Sequence, residues 1–192
     1  MTIHLVIGMQ GSGKSLLLVK KAYEYYKAGK TIYSNIDLSF PYKQLDYNDI
    51  INYKLENAVV ILDEIHQLLP SRRSLSKINV KICDGFLSMV RKKRLIIYGS
   101  TQTQRKVDVR FREEADYIHL CEKWAYINKR WLQISESEDL DIKIPIMVAS
   151  TILQTFSGII VHDSFVGNNY YNLYDTTQII EVKNIKLDDK KR

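Results

Sequence analysis

Three short stretches carry residue types that can do chemistry together. The first is Gly8-Met9-Gln10-Gly11-Ser12-Gly13-Lys14-Ser15, with glycine, lysine and serine at the spacing G-x-x-x-x-G-K-S. Glycines let a backbone turn its N–H groups inward around phosphate oxygens. The lysine adds a flexible cation for β- and γ-phosphates, and the serine hydroxyl suits Mg²⁺. Gly8 through Leu16 is therefore the expected nucleotide-binding stretch. The second is Asp63-Glu64, directly after the apolar run Ala58-Val59-Val60-Ile61-Leu62. An aspartate there can hold Mg²⁺ together with Ser15, and the glutamate can act as general base toward an attacking water. The third is Gln102, at the exit of the run Leu95 to Thr101. Its amide can sense a γ-phosphate or orient the water, although any strand exit favours a polar residue.

These groups act together only if strand ends bring them together. Ile3 to Ile7 is almost wholly apolar and reads as a buried strand, and residues 15–28 read as a helix stopped by Gly29. Residues 30–35 form an expected second strand, and Asp46 caps a short helix over 46–51. The runs at 58–62 and 95–101 suit strands covered on both faces, as in a parallel sheet. In such a sheet the C-terminal ends share one ligand-binding edge. Residues 80–91 are expected to be helical, with Val80, Cys83, Phe86, Leu87 and Val90 on one buried face, ending in Arg91-Lys92-Lys93-Arg94. Residues 116–121 alternate in polarity and are expected nearer a sheet edge. Beyond residue 123 the pattern weakens. Residues 123–135 suggest a hairpin turning at Asn128-Lys129, with further strands at 142–149 and 158–162. Residues 144–161 read as buried strand and helix pieces, and 183–192 as a loose, solvated tip.

Composition sets the outer bounds. The 192 residues are 45% hydrophobic and 26% charged, which is ordinary for one globular domain. A net charge of +6 favours an acidic partner such as nucleic acid. Cys83 and Cys121 lack metal-site spacing and read as buried thiols in a reducing compartment. No apolar run reaches the ~18 residues of a spanning helix, and the N-terminus leads straight into a strand, so a cytoplasmic location without a transmembrane segment is expected.

The order of these signals resembles the additional-strand catalytic-glutamate division of P-loop NTPases and, within it, FtsK/HerA-type DNA translocases. The residues that carry the likeness are GMQGSGKS (8–15), IYSNI (32–36), VVILDEIHQLLPSRR (59–73), MVRKKR (89–94) and IIYGSTQ (96–102). Two viral groups are similar: genome-packaging ATPases of archaeal and other internal-membrane viruses, and zonula occludens toxin-like assembly ATPases of filamentous phages. The resemblance implies an α/β fold, a P-loop NTPase three-layer sandwich with a mainly parallel central sheet. Residues 1–123 would form the ATPase core; residues 124–192, outside the resemblance, read as a β-rich C-terminal extension packed on or continuing the same domain.

The resemblance also implies ATP and Mg²⁺ as cofactors and a homo-oligomeric ring built head to tail. One subunit's arginine would reach its neighbour's nucleotide, the candidates being Arg72, Arg73, Arg91, Arg110 and Arg112. Lys14, Glu64 and Gln102 would be catalytic, and Ser15 and Asp63 would hold the metal. The expected activity is an ATP-driven DNA translocase or packaging motor, acting sequence-independently on double-stranded DNA through the basic stretches 91–94 and 105–112. Capsid or membrane components are further possible partners. The alternatives are a toxin-like assembly or export ATPase, a small P-loop kinase, and a non-enzymatic nucleotide-dependent assembly protein.

Overall fold

The computed structural model describes residues 2–134 and 144–175. The strands are β1 (Ile3–Ile7), β2 (Thr31–Ser34), β3 (Lys43–Gln44), β4 (Ala58–Leu62), β5 (Ile96–Thr101), β6 (Tyr117–Ile127), β7 (Arg130–Ile134), β8 (Ile146–Gln154) and β9 (Ile160–Val166). They join one sheet in the order β3-β2-β4-β5-β1-β6-β8-β9, with β7 also paired to β6. From β3 to β6 every pairing is parallel, whereas β6 pairs with β7 and β8, and β8 with β9, in antiparallel fashion. Strand β5 lies between β1 and β4, so one strand separates the end of the phosphate loop's strand from the acid pair.

Side chains alternate across a strand, so the parallel half has two apolar faces to cover. Helix α1 (Lys14–Lys27) covers one by burying Leu17, Leu18, Val19 and Ala22 against Val6, Ile32, Val59, Ile61 and Tyr98. Gly29, with a φ of +76°, turns the chain from α1 into β2. The other face packs against α2 (Tyr47–Ile51), the irregular helical run beginning with α3 (Lys77–Val80), and α4 (Val109–Glu113). Three layers result. Asp46 caps α2 by accepting from the Asn48 backbone N–H.

The structure departs from the sequence pattern in three places. The helix expected at 80–91 starts earlier, at Lys77 behind the Ser76 cap, widens into a π-helical stretch over Lys81–Phe86, and tightens to a 3₁₀ turn at Leu87–Met89. Cys83, Phe86, Leu87 and Val90 are buried but Val80 is exposed, because the widened turns rotate the buried face relative to a regular helix. Strand β6 is interior, flanked by β1 and β8. Its alternation has another cause: His119, Cys121 and Ala125 are buried on the α1 side, while Leu120 and Tyr126 on the opposite face are exposed. The 144–161 stretch holds no helix; it is β8, a turn and the start of β9.

Residue 123 falls inside β6, so the C-terminal strands extend the same sheet. The β6–β7 hairpin turns at Asn128 and Lys129, both with positive φ, as a tight two-residue hairpin requires. Both cysteines are buried, and burial pushes each thiol pKa up to about 12. Among the described residues no helix is long and apolar enough to cross a membrane. The tip at 183–192 lies outside the described residues.

Candidate active site

The phosphate loop peels away from the sheet where β1 ends, beside β6. At Gly8 even a Cβ would not fit: it would stand 2.3 Å from the Ser12 hydroxyl and 2.8 Å from the Cys121 carbonyl. Gly13 enters α1 with a φ of +88°, and a Cβ there would stand 2.8 Å from a Val148 methyl. Backbone shape and close packing thus both require glycine at these two positions. Lys14 is buried, and its ammonium arcs back to donate to the Met9 carbonyl at 3.0 Å. That places a cation over the loop, where phosphate oxygens can compete with a carbonyl for it. The Ser12 hydroxyl is closed off from solvent without a hydrogen-bond partner among the described residues.

Asp63, the first of the acid pair, meets this loop. The Ser15 hydroxyl donates to Asp63 Oδ2 at 2.7 Å, and Asp63 is itself buried. Two residues absent from the sequence-based expectation hold Asp63 in place. Asn35, at the exit of β2, donates to the Asp63 carbonyl at 2.9 Å and accepts from the Asp63 N–H at 2.8 Å. Ser100, fully buried on β5, donates its hydroxyl to Asp63 Oδ1 and accepts from the Glu64 N–H at 3.1 Å. The signal was present, because each is a polar residue at the C-terminal end of an apolar strand. Strand order, which makes the two strands neighbours of β4, was not.

Glu64 adopts a left-handed backbone, with φ of 51°, so the chain turns sharply at the end of β4. Its Oε2 lies 3.0 Å from His66 Nδ1. Gln102 is partly buried and accepts from Lys106 Nζ at 3.1 Å. The oxygen donors fit a magnesium–nucleotide site: a serine hydroxyl and a carboxylate, two hard ligands beside a phosphate loop, with other positions left to water and phosphate.

The five arginines are not equivalent. Arg110 is engaged within its own chain, donating to Asp108 at 2.9 Å, to Asp84 at 3.0 Å and to the Ser74 carbonyl. Burial works against the Asp108 carboxylate, yet bonds from Arg110 and Asn79 hold its pKa below the usual range. Arg112 is half-buried, with its Nε closed off and unbonded among the described residues. Arg91 is exposed and 3.7 Å from Asp116. It lies before β5, at the end of the sheet remote from the loop, and the same holds for the rest of 91–94. Arg72 and Arg73 are exposed on a 3₁₀ turn after Pro70. A Pro70–Val107 bridge and the Asp108 N–H to Leu69 carbonyl bond at 3.0 Å tie that turn to the one bearing Arg105 and Lys106. The fold thereby groups Arg72, Arg73, Arg105 and Lys106, all exposed, at the same strand ends as the acid pair.

Comparison with known proteins agrees with this fold. Residues 1–122 match a family described as an AAA domain. A sequence comparison with curated proteins finds no match. Among solved structures, the fold is similar to the N-terminal domain of zonular occludens toxin from Neisseria meningitidis. That match has a TM-score of 0.60 and 18% identity, covering 91% of this chain and 98% of that one. It is also similar to the genome packaging NTPase B204 from Sulfolobus turreted icosahedral virus 2, in complex with ATP-gammaS. Here the TM-score is 0.52 and the identity 18%, covering 84% of this chain and 95% of that one. A further structure of B204, described as the DNA-packaging ATPase from Sulfolobus turreted icosahedral virus, aligns with a TM-score of 0.52 and 18% identity, over 84% of this chain and 96% of that one. At these identities the structural likenesses speak for the fold, while the family match spans most of the chain from its start: the protein belongs to the AAA-domain family of P-loop ATPases.

Proposed function

We propose that this ATPase is a DNA motor that moves double-stranded DNA, as a ring of identical subunits, in viral genome packaging. The observation that carries the reading is the 2.7 Å bond from Ser15 to Asp63, with Glu64 next in sequence, beside a complete phosphate loop. When bound, Mg²⁺ would neutralise charge on the β- and γ-phosphates, and Ser15 and Asp63 are the residues that would hold it. The loop's N–H groups and Lys14 bind the triphosphate. Glu64 takes the proton of the attacking water, and Gln102 reports loss of the γ-phosphate to the turn at 104–106.

The shared patch of Arg72, Arg73, Arg105 and Lys106 supports a contact with an anion outside the chain. We assign Arg105 and Lys106 to the DNA backbone and Arg72 or Arg73 to a neighbouring subunit's nucleotide. Arg110, held by Asp108 and Asp84, serves the fold. Such a motor would work in the cytoplasm of an infected cell or against a capsid. B204, similar in fold, is named as a genome packaging NTPase. A second reading, a toxin-like assembly ATPase that docks on membrane components, draws support from the broader fold match to the zonular occludens toxin domain. ATP turnover measured with and without duplex DNA separates them. The motor reading expects stimulation by DNA of any sequence that fades as salt rises, and equal turnover with and without DNA favours the second.

A further inference from the structure

Lys123 is a cation that the catalytic account leaves unused, and its surroundings are unusual for a lysine. On the α1 side of β6 the side chains run His119, Cys121, Lys123, Ala125, and the other three are buried. The Cys121 carbonyl lies under Gly8, and the Lys14 charge reaches the Cys121 thiol. One step further along the same face, Lys123 pairs in register with Val148 on β8 and with Ile134 on β7. Directly paired side chains stand roughly 4.5–5.5 Å apart at Cβ. Val148 in turn touches the loop at Gly13. Lys123 therefore stands between two apolar neighbours at the rim of the phosphate loop. It has no hydrogen bond or ion pair with any described residue, and burial pulls its pKa down without an offsetting carboxylate. Half-burying an ammonium that has no partner among the described residues is unfavourable unless an anion meets it.

The sheet order says which part of a nucleotide that anion belongs to. Asp63 and Glu64 lie at the end of β4, on one side of β1, and β6 lies on the other side. A triphosphate whose γ-phosphate meets the acid pair runs back across the loop toward β6. We propose that Lys123 binds the α-phosphate of the nucleotide, as a second cation of the loop at the end opposite Asp63. This rests on the nucleotide site argued above. A group there contributes alike to ATP, ADP and AMP, whereas Lys14 and Asp63 favour the longer phosphate chains.

The test is Lys123→Met in the full chain, with Lys123→Arg beside it, measuring affinities for ATP, ADP and AMP, turnover at saturating ATP, and thermal midpoints with and without ADP. Lys123→Met is expected to weaken all three nucleotides by about tenfold or more, the usual scale of a charge-assisted hydrogen bond. It should lower turnover at saturating ATP by less than it lowers affinity, and raise the ADP-free midpoint, since a half-buried charge is gone. Lys123→Arg should recover most of the affinity. Wild-type affinities in a folded Lys123→Met protein overturn the assignment and leave the nucleotide site standing; Lys123 then only extends its charge to water along the sheet. A wild-type protein that binds none of the three nucleotides overturns both.

Discussion

Ser15 and Asp63 are 48 residues apart in sequence and 2.7 Å apart in space. The bond joins the end of the phosphate loop to the end of β4 even though β5 lies between their strands. A hydroxyl reaches across that gap because Asp63 is anchored from two more strands, by Asn35 from β2 and by Ser100 from β5. The acid is therefore held in position by the protein's own hydrogen bonds, which is the condition for electrostatic stabilisation without reorganisation.

Asn35 is the residue whose loss should disturb this most cleanly. Its amide satisfies both backbone groups of Asp63, and the site is buried. Asn35→Leu leaves an N–H and a C=O unpaired, so a loss of about 2–4 kcal/mol in urea unfolding is expected, with turnover falling more than ATP affinity. Full stability in that variant would show that water replaces the amide.

Arg110 and Arg72 should separate by what they damage. Arg110→Ala removes the partner of a fully buried carboxylate, so stability should fall by about 3 kcal/mol. Arg72→Ala and Arg73→Ala are exposed changes, expected to leave stability within about 0.5 kcal/mol. On the proposed ring assembly, one of them should lower turnover steeply. Denaturation midpoints and steady-state rates on the three variants check this.

Much of this was legible in the chain and some was not. The loop, the acid pair and their strands stand out because glycine geometry and continuous apolar runs are local signals. Ser100 and Asn35 did not stand out, since their importance comes from strand order, which periodicity does not encode. The position of β6 was misread for a related reason. Alternation reports how many faces of a strand are covered, and at β6 one face lacks a helix layer although the strand has neighbours on both sides. The helix expected at 80–91 is present but begins three residues earlier and exposes Val80, because a π-helical stretch carries no simple period. Gly85 lies inside it, where a Cβ would collide with the Tyr53 hydroxyl.

A buried histidine pair should make the fold sensitive to acid. His4 Nδ1 and His119 Nε2 are 2.9 Å apart, and His4 stacks between Tyr98 and Tyr117. Burial, with the neighbouring His119 and Lys21 charges, lowers the His4 pKa to about 3. Burial and Lys21 lower that of His119 to about 4, with Asp163 opposing. Between these values and the unfolded value near 6.5, the unfolded chain binds more protons than the native one. Stability is therefore complete above about pH 6.5 and lost as pH falls toward 4, by on the order of a few kcal/mol. Urea midpoints at pH 7.5, 6 and 5 read this directly. Folded His119→Gln should show a shallower decline, and an unchanged slope would mean that other groups control it.

Basic residues at opposite ends of β5 should differ in their effect on DNA. Arg105 and Lys106 stand at the catalytic edge, while Arg91 to Arg94 precede the strand's start, about 20 Å away along its six residues. Replacing Arg105 and Lys106 with alanine should weaken duplex binding and reduce the salt slope by about one unit per phosphate contact. The equivalent change at Lys92 and Lys93 should do much less. Binding isotherms at several salt concentrations distinguish the two.

The most direct test of the site is ATP turnover by Glu64→Gln alongside its ATP affinity. A neutral amide keeps the size of the side chain but cannot take the proton. Turnover is expected to drop by about 10²–10⁴-fold while ATP still binds. Wild-type turnover in the Glu64→Gln protein would contradict the general-base role, and with it the convergence of loop and acid pair on one hydrolysed triphosphate.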